Sequence, residues 1–168
     1  MRIHICGIYG SGKSTFAKEL SNVIKIPYYS LDDIKYAVKF TKIRPVEERI
    51  KKVKQICSKK NWITEGTWSN FAEEAFKKAD LIILINTSRI ICSYRIIKRH
   101  ILRSKHENDT LSEALKLVKE VYKYHSTRQP VSLRAHTDLI AKYKKKHLVI
   151  SKKSHVHKAL RFLYQHKK

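Results

Sequence analysis

Residues 7 to 14 read Gly7-Ile8-Tyr9-Gly10-Ser11-Gly12-Lys13-Ser14, a full match to G-x-x-x-x-G-K-[ST]. Glycine lets a loop turn tightly and aim successive amide N–H groups at one anion. A helix opening at the loop's end adds roughly half a positive charge from its N-terminus. In such a loop Lys13 reaches the β- and γ-phosphates, and the Ser14 hydroxyl ligates Mg²⁺. The expected ligands are therefore a nucleoside triphosphate, ATP or a close relative, and Mg²⁺, with Gly7, Tyr9, Gly10, Ser11, Gly12, Lys13, Ser14 and Thr15 around the phosphates. Three of the chain's four glycines fall inside this motif. At average glycine usage of about 7%, a chance match in a chain of this size is rarer than roughly one in a hundred.

Further groups able to do chemistry lie at the ends of apolar runs. Asp32 and Asp33 follow the run Pro27 to Ser30, and Glu65 closes the run Asn61 to Glu65 just before Gly66. Carboxylates at the carboxyl ends of parallel strands face the crevice where open α/β sheets bind ligands. There Asp32 can orient Mg²⁺ through water or accept the proton of an attacking hydroxyl, and Glu65 can contact a metal-bound water or the substrate. Arg95, Arg99 and Arg103 recur every four residues, which puts them on one face of a helix. Trp62 reads as core. Trp68 reads as packing, with stacking on a base as the sharper alternative.

The elements that must position these groups alternate strand and helix, the pattern of a parallel sheet covered on both faces. Expected strands are Arg2 to Cys6, Pro27 to Ser30, Asn61 to Glu65, Leu81 to Ile85 and Leu148 to Ser151. The fourth is apolar throughout, as a strand buried on both faces should be. Helices are expected from Lys13 to Val23, Val46 to Lys60, Phe71 to Lys78, Ser88 to Ser104, Thr110 to His125, along an amphipathic stretch from Pro130 to Lys145, and after Ser154. Pairs Asn70/Glu73 and Thr110/Glu113 have capping-box spacing. The fold class is thus α/β: a three-layer sandwich with a five-stranded parallel sheet, a P-loop NTPase in one domain spanning 1–168.

In this order the segments Gly7 to Thr15, Ile26 to Asp32, Trp62 to Trp68, the arginine helix after Asn86, and Leu148 to Ser151 resemble the topology modulation protein family of adenylate-kinase-like P-loop proteins. The resemblance implies a nucleoside-monophosphate-kinase-like fold with a short helical lid over about residues 99–130. It implies that Arg95 stacks on adenine, that Arg99 reaches phosphate, and that Arg128 closes from the far side of the lid. It favours Asp32 as the metal- or acceptor-orienting acid. Glu65 stands where the similar pattern has an aspartate, one methylene shorter. Residues 151 to 154 sit where the family wraps backbone around adenine. The short cysteine-free segment after Arg103 excludes a zinc-bearing lid.

Composition bounds the rest. The chain has 168 residues, 42% of them apolar, enough for one substantial core. Its three cysteines, Cys6, Cys57 and Cys92, form no CxxC pair, and its nine histidines are scattered, so buried thiols fit better than a metal cage. No apolar run approaches a membrane span and no signal peptide is visible, which points to the cytoplasm without a membrane partner. Thirty-seven Lys and Arg against 14 Asp and Glu give a formal +23, a field that attracts polyanions, nucleic acids included, without selecting one. The leading function is a small kinase moving the γ-phosphate of Mg-ATP to a small acceptor such as a nucleotide or nucleoside, with Lys13, Asp32, Arg99 and Arg128 as the catalytic set. The alternative is a nucleotide-dependent nucleic-acid-binding or DNA-topology regulator, or a polynucleotide 5′-hydroxyl kinase, although no helix-turn-helix, RRM or zinc-finger pattern is present. The acceptor falls to residues 32 to 44, where Tyr36, Lys39, Phe40 and Lys42 offer aromatic and cationic contacts. No residue pattern names that acceptor or an oligomeric state.

Overall fold

The computed structural model describes residues 1–38, 42–103, 111–126, 129 and 131–165. Five strands, β1 (Arg2–Gly7), β2 (Tyr28–Ser30), β5 (Trp62–Gly66), β6 (Leu81–Ile85) and β7 (His147–Ile150), pair in the parallel order β2-β5-β1-β6-β7. Period-two alternation sorts their side chains. Ile3 and Ile5 of β1, Ile63 of β5 and Ile83 and Ile85 of β6 face α1 (Lys13–Ile24) and α8 (Lys153–Gln165), meeting Phe16, Leu20, Ile24 and Leu163. Cys6, Trp62, Ile82 and Leu84 face the other way, onto Val53 and Cys57 of α3 (Val46–Cys57), Phe71 and Phe76 of α4 (Ser69–Lys78), and Ile140 of α7 (Leu133–Lys142). A third cluster, Ile8, Cys92, Ile96, Ala114, Val121 and Tyr124, packs α5 (Arg89–Arg103) and α6 (Leu111–Ser126) beside the end of β1. The architecture is the expected α/β sandwich. Among the described residues no helix is long and apolar enough to cross a membrane.

One segment carries elements that the sequence pattern does not announce, and two local expectations need correction. Between β2 and α3 the chain forms α2 (Leu31–Lys35) and an antiparallel hairpin of β3 (Tyr36–Val38) with β4 (Lys42–Ile43), elements too short to leave a periodic signature. The Arg44 guanidinium donates to the carbonyls of Asp33 at 2.7 Å, Ile34 at 2.9 Å and Tyr36, so it is bound up in holding this turn. The Asn70/Glu73 capping box does not form, because α4 starts at Ser69 with Trp68 as its cap. Glu73 instead accepts from Lys142 Nζ at 2.7 Å and Tyr143 Oη at 2.6 Å, tying α4 to α7. Finally, α8 begins at Lys153 rather than after Ser154. Of the acceptor-region residues, Lys39 and Phe40 lie outside the described residues, as does Thr110 of the second capping box.

Candidate active site

The loop between β1 and α1 is shaped by positions only glycine fills. Gly10 has φ +73°, and a Cβ there would lie 2.5 Å from the Cys92 carbonyl oxygen. Gly12, at φ +95°, is the N-cap of α1 and provides no side-chain cap. The amides of the first turn consequently have no partner within the helix or from a capping side chain, and the turn carries no acidic residue. The Ser11 hydroxyl is buried without a hydrogen-bond partner beside them. These are the features of an anion cradle.

Lys13 is buried at the base of the loop, its Nζ 5.6 Å above the Tyr9 ring centroid. Ser14 Oγ donates to Glu65 Oε1 at 3.1 Å, joining the start of α1 to the end of β5. Glu65 is 1% exposed, and its Oε2 has no partner. Burial pushes its carboxyl above the ordinary carboxylate range; the Lys13 ammonium opposes that shift and Asp32 adds to it. The charges of Lys13 and Asp32 thus both reach the Glu65 carboxyl. A hydroxyl and a buried carboxylate with a free oxygen, at the mouth of an anion cradle, suit Mg²⁺, which commonly takes one or two carboxylates and completes its shell with phosphate and water. Among the described residues no group of three or more His, Cys, Asp or Glu side chains converges as a metal cage.

Asp32 is held from two sides. Its N–H donates to Ser30 Oγ at 3.2 Å, so Ser30, not Asp32, caps α2, and its Oδ1 accepts from Trp68 Nε1 at 2.6 Å. Lys35 Nζ stands 3.5 Å over the Trp68 ring, Phe71 stacks against that ring at 6.4 Å, and the Arg49 guanidinium lies 5.2 Å over Phe71. The Arg49 Nε is buried without a partner, and burial holds the Lys35 ammonium below its ordinary value despite the pull of Asp32. Trp68 is thus packing, and it also orients the carboxylate; Asp33 is exposed.

On the other flank Arg95 Nη1 donates to the Gly10 carbonyl at 3.3 Å and the Ser11 carbonyl at 3.1 Å, so here it touches the loop's backbone. Thr87 Oγ1 donates to the same Ser11 carbonyl at 3.0 Å. Arg99 is exposed one turn further along α5. Arg128 lies outside the described residues.

A search of solved structures finds chains of the same shape. A shikimate kinase from Acinetobacter baumannii, in complex with shikimate, superposes with a TM-score of 0.60 at 14% identity, covering 99% of this chain and 94% of that one. An uncharacterised protein from Eubacterium ventriosum gives 0.56 at 17%, covering 99% and 98%. The fold is the nucleoside-monophosphate-kinase-like P-loop fold. No protein-family model matches the chain, and no curated protein does. In this P-loop fold the loop, β2 and β5 bring Lys13, Ser14, Asp32 and Glu65 together, as expected from strand ends. Thr87, Lys35 and Arg49 escaped the sequence reading. Thr87 only opens a helical pattern, and Lys35 and Arg49 sit among many lysines and arginines. Nothing local marks which cation points inward.

Proposed function

We propose that this protein is a small-molecule kinase that transfers the γ-phosphate of Mg-ATP to the hydroxyl of a small, negatively charged acceptor. The observation that carries the reading is the Ser14–Glu65 hydrogen bond of 3.1 Å beside buried Lys13, at the end of a glycine loop whose helix amides have no side-chain cap. Lys13 and the first-turn amides would hold the β- and γ-phosphates, and Ser14 and Glu65 would hold Mg²⁺, with Asp32 near by. When bound, the metal would supply a Lewis acid that spreads charge on the phosphoryl oxygens. Asp32, oriented by Trp68, would receive the acceptor's hydroxyl proton as its oxygen bonds the γ-phosphorus and the bond to the β-phosphate breaks. Arg99, with Arg128, would close over the phosphates and offset their charge. Catalysis here is positioning and charge neutralisation.

Lys35 over the Trp68 ring and Arg49 over the Phe71 ring, neither ion-paired to a carboxylate among the described residues, support an acceptor with its own carboxylate or phosphate. Trp68 has Lys35 over its ring and Phe71 stacked against it, which leaves it poorly placed to stack on a nucleobase. A non-nucleoside acceptor is favoured over the nucleoside of the sequence reading. Within the fold, the five segments named above support a place nearest the topology modulation branch. The formal +23 keeps a nucleic-acid 5′-hydroxyl in view as an acceptor.

The test is transfer of γ-labelled phosphate from Mg-ATP to four acceptor groups: hydroxy acids, sugar phosphates, nucleosides and 5′-hydroxyl oligonucleotides. Labelled product from one of the first two groups is expected. Labelling confined to oligonucleotides would favour the polynucleotide reading, and no labelling of any acceptor while ATP binds would overturn the kinase reading.

A further inference from the structure

We infer that Arg95 works as a brace for the phosphate loop, a positioning residue that acts on the triphosphate through main-chain carbonyls. This rests on the loop binding a triphosphate, and it departs from the adenine-stacking role that the family resemblance implies. In a trans peptide the carbonyl of one residue and the N–H of the next point in opposite directions. The Ser11 carbonyl accepts from both Thr87 Oγ1 at 3.0 Å and Arg95 Nη1 at 3.1 Å. Its peptide partner, the Gly12 N–H, must then point away from α5, toward the cradle side of the loop. One guanidinium nitrogen spans this carbonyl and that of Gly10, at 3.3 Å.

The preceding peptide is fixed as well. The Ser11 N–H donates to the Ile8 carbonyl at 3.2 Å, so the Gly10–Ser11 unit has its donor inside the turn and its acceptor on Arg95. Between them, Arg95 and Thr87 hold the Gly10 and Ser11 carbonyls on the α5 side of the loop. The same helix presses on the loop at a third point, since a Cβ on Gly10 would lie 2.5 Å from the Cys92 carbonyl oxygen, and one on Gly12 3.4 Å from Arg95 Nη1. A cation behind these carbonyls also polarises the peptide units, strengthening the N–H groups that face an anion.

Where Arg95 acts on the loop, its loss must weaken every ligand that uses the phosphate cradle, whatever base it carries. The experiment compares inorganic tripolyphosphate with ATP, each with Mg²⁺, by calorimetry on wild-type protein, Arg95→Ala and Arg95→Lys, with melting temperatures alongside. The brace predicts that Arg95→Ala loses about tenfold or more for both ligands alike, the scale of one charge-assisted hydrogen bond. Arg95→Lys, which keeps the charge but not the fork, should fall between. A loss confined to ATP would assign Arg95 to the base, and equal affinity in all three proteins would leave it no role at the loop; either overturns the inference. Should Arg95→Ala fail to fold, Arg95→Lys alone decides by the same ratio of the two ligands. Wild-type protein that binds neither ligand removes the triphosphate reading first and this inference with it, a result distinct from a change confined to the variants.

Discussion

Two imidazoles buried beneath the sheet should make stability fall steeply in mild acid. His4 on β1 is 1% exposed, bonded through Nδ1 to Thr64 Oγ1 at 2.9 Å, with its ring against Phe76. His136 on α7 is fully buried, its Nε2 3.1 Å from the Thr67 carbonyl and its Nδ1 2.8 Å from Tyr124 Oη. A carbonyl only accepts, so Nε2 carries the proton and Nδ1 accepts from the tyrosine. Burial pulls His4 down to about 3, with His136 contributing, and His136 down to about 4, from an ordinary 6.5. Depressed folded values mean that only the unfolded chain takes up these protons between about pH 6.5 and 4. The stability is complete above 6.5 and is lost as pH falls toward the folded values. At pH 5 each histidine costs about 2 kcal/mol relative to pH 7.5, or about 4 kcal/mol together. That is a large part of the roughly 5–15 kcal/mol a domain commands. His125, also lowered by burial, adds in the same direction. Urea unfolding followed by circular dichroism at pH 7.5, 6 and 5, at fixed ionic strength, reads this directly. The variant His4→Asn/His136→Gln should start less stable and lose most of the slope. A wild-type difference below about 1 kcal/mol, or an undiminished slope in the double variant, would refute the reasoning.

Three further outcomes are expected. Gly10→Ala forces a Cβ into the Cys92 carbonyl at φ +73°, so it should cost about 1–3 kcal/mol and remove measurable Mg-ATP affinity; a thermal melt and calorimetry check both. Glu65→Gln removes a buried charge whose second oxygen has no partner, so the ligand-free protein should melt no lower while Mg²⁺ ceases to strengthen ATP binding. Trp68→Phe deletes the 2.6 Å bond to Asp32 and should lower kcat for transfer about tenfold while leaving KM for ATP unchanged.

The loop, the strand order's apolar alternation and the strand-end acids could be read from the sequence because each is local. Glycine spacing fixes the turn, and period-two or apolar runs fix which ends of β2 and β5 meet the crevice. Glu65 was legible for that reason, although its pairing with Ser14 joins residues far apart in sequence. What escaped was of two kinds. The α2 helix and the β3–β4 hairpin are only a few residues long, and Arg44 holds them through carbonyl contacts that no pattern announces. The placements of Arg95, Thr87, Lys35 and Arg49 depend on where α5, α2 and α3 dock, and a chain with 37 lysines and arginines gives no local means of separating a packed cation from a solvated one.

The account stands most directly on one binding measurement, calorimetric titration of Mg-ATP into wild-type protein and Lys13→Ala. It predicts saturable one-to-one binding to the wild type, weakened at least about tenfold in a variant with an unchanged melting temperature. Equal affinity in the two proteins, or no binding to the wild type, would contradict it.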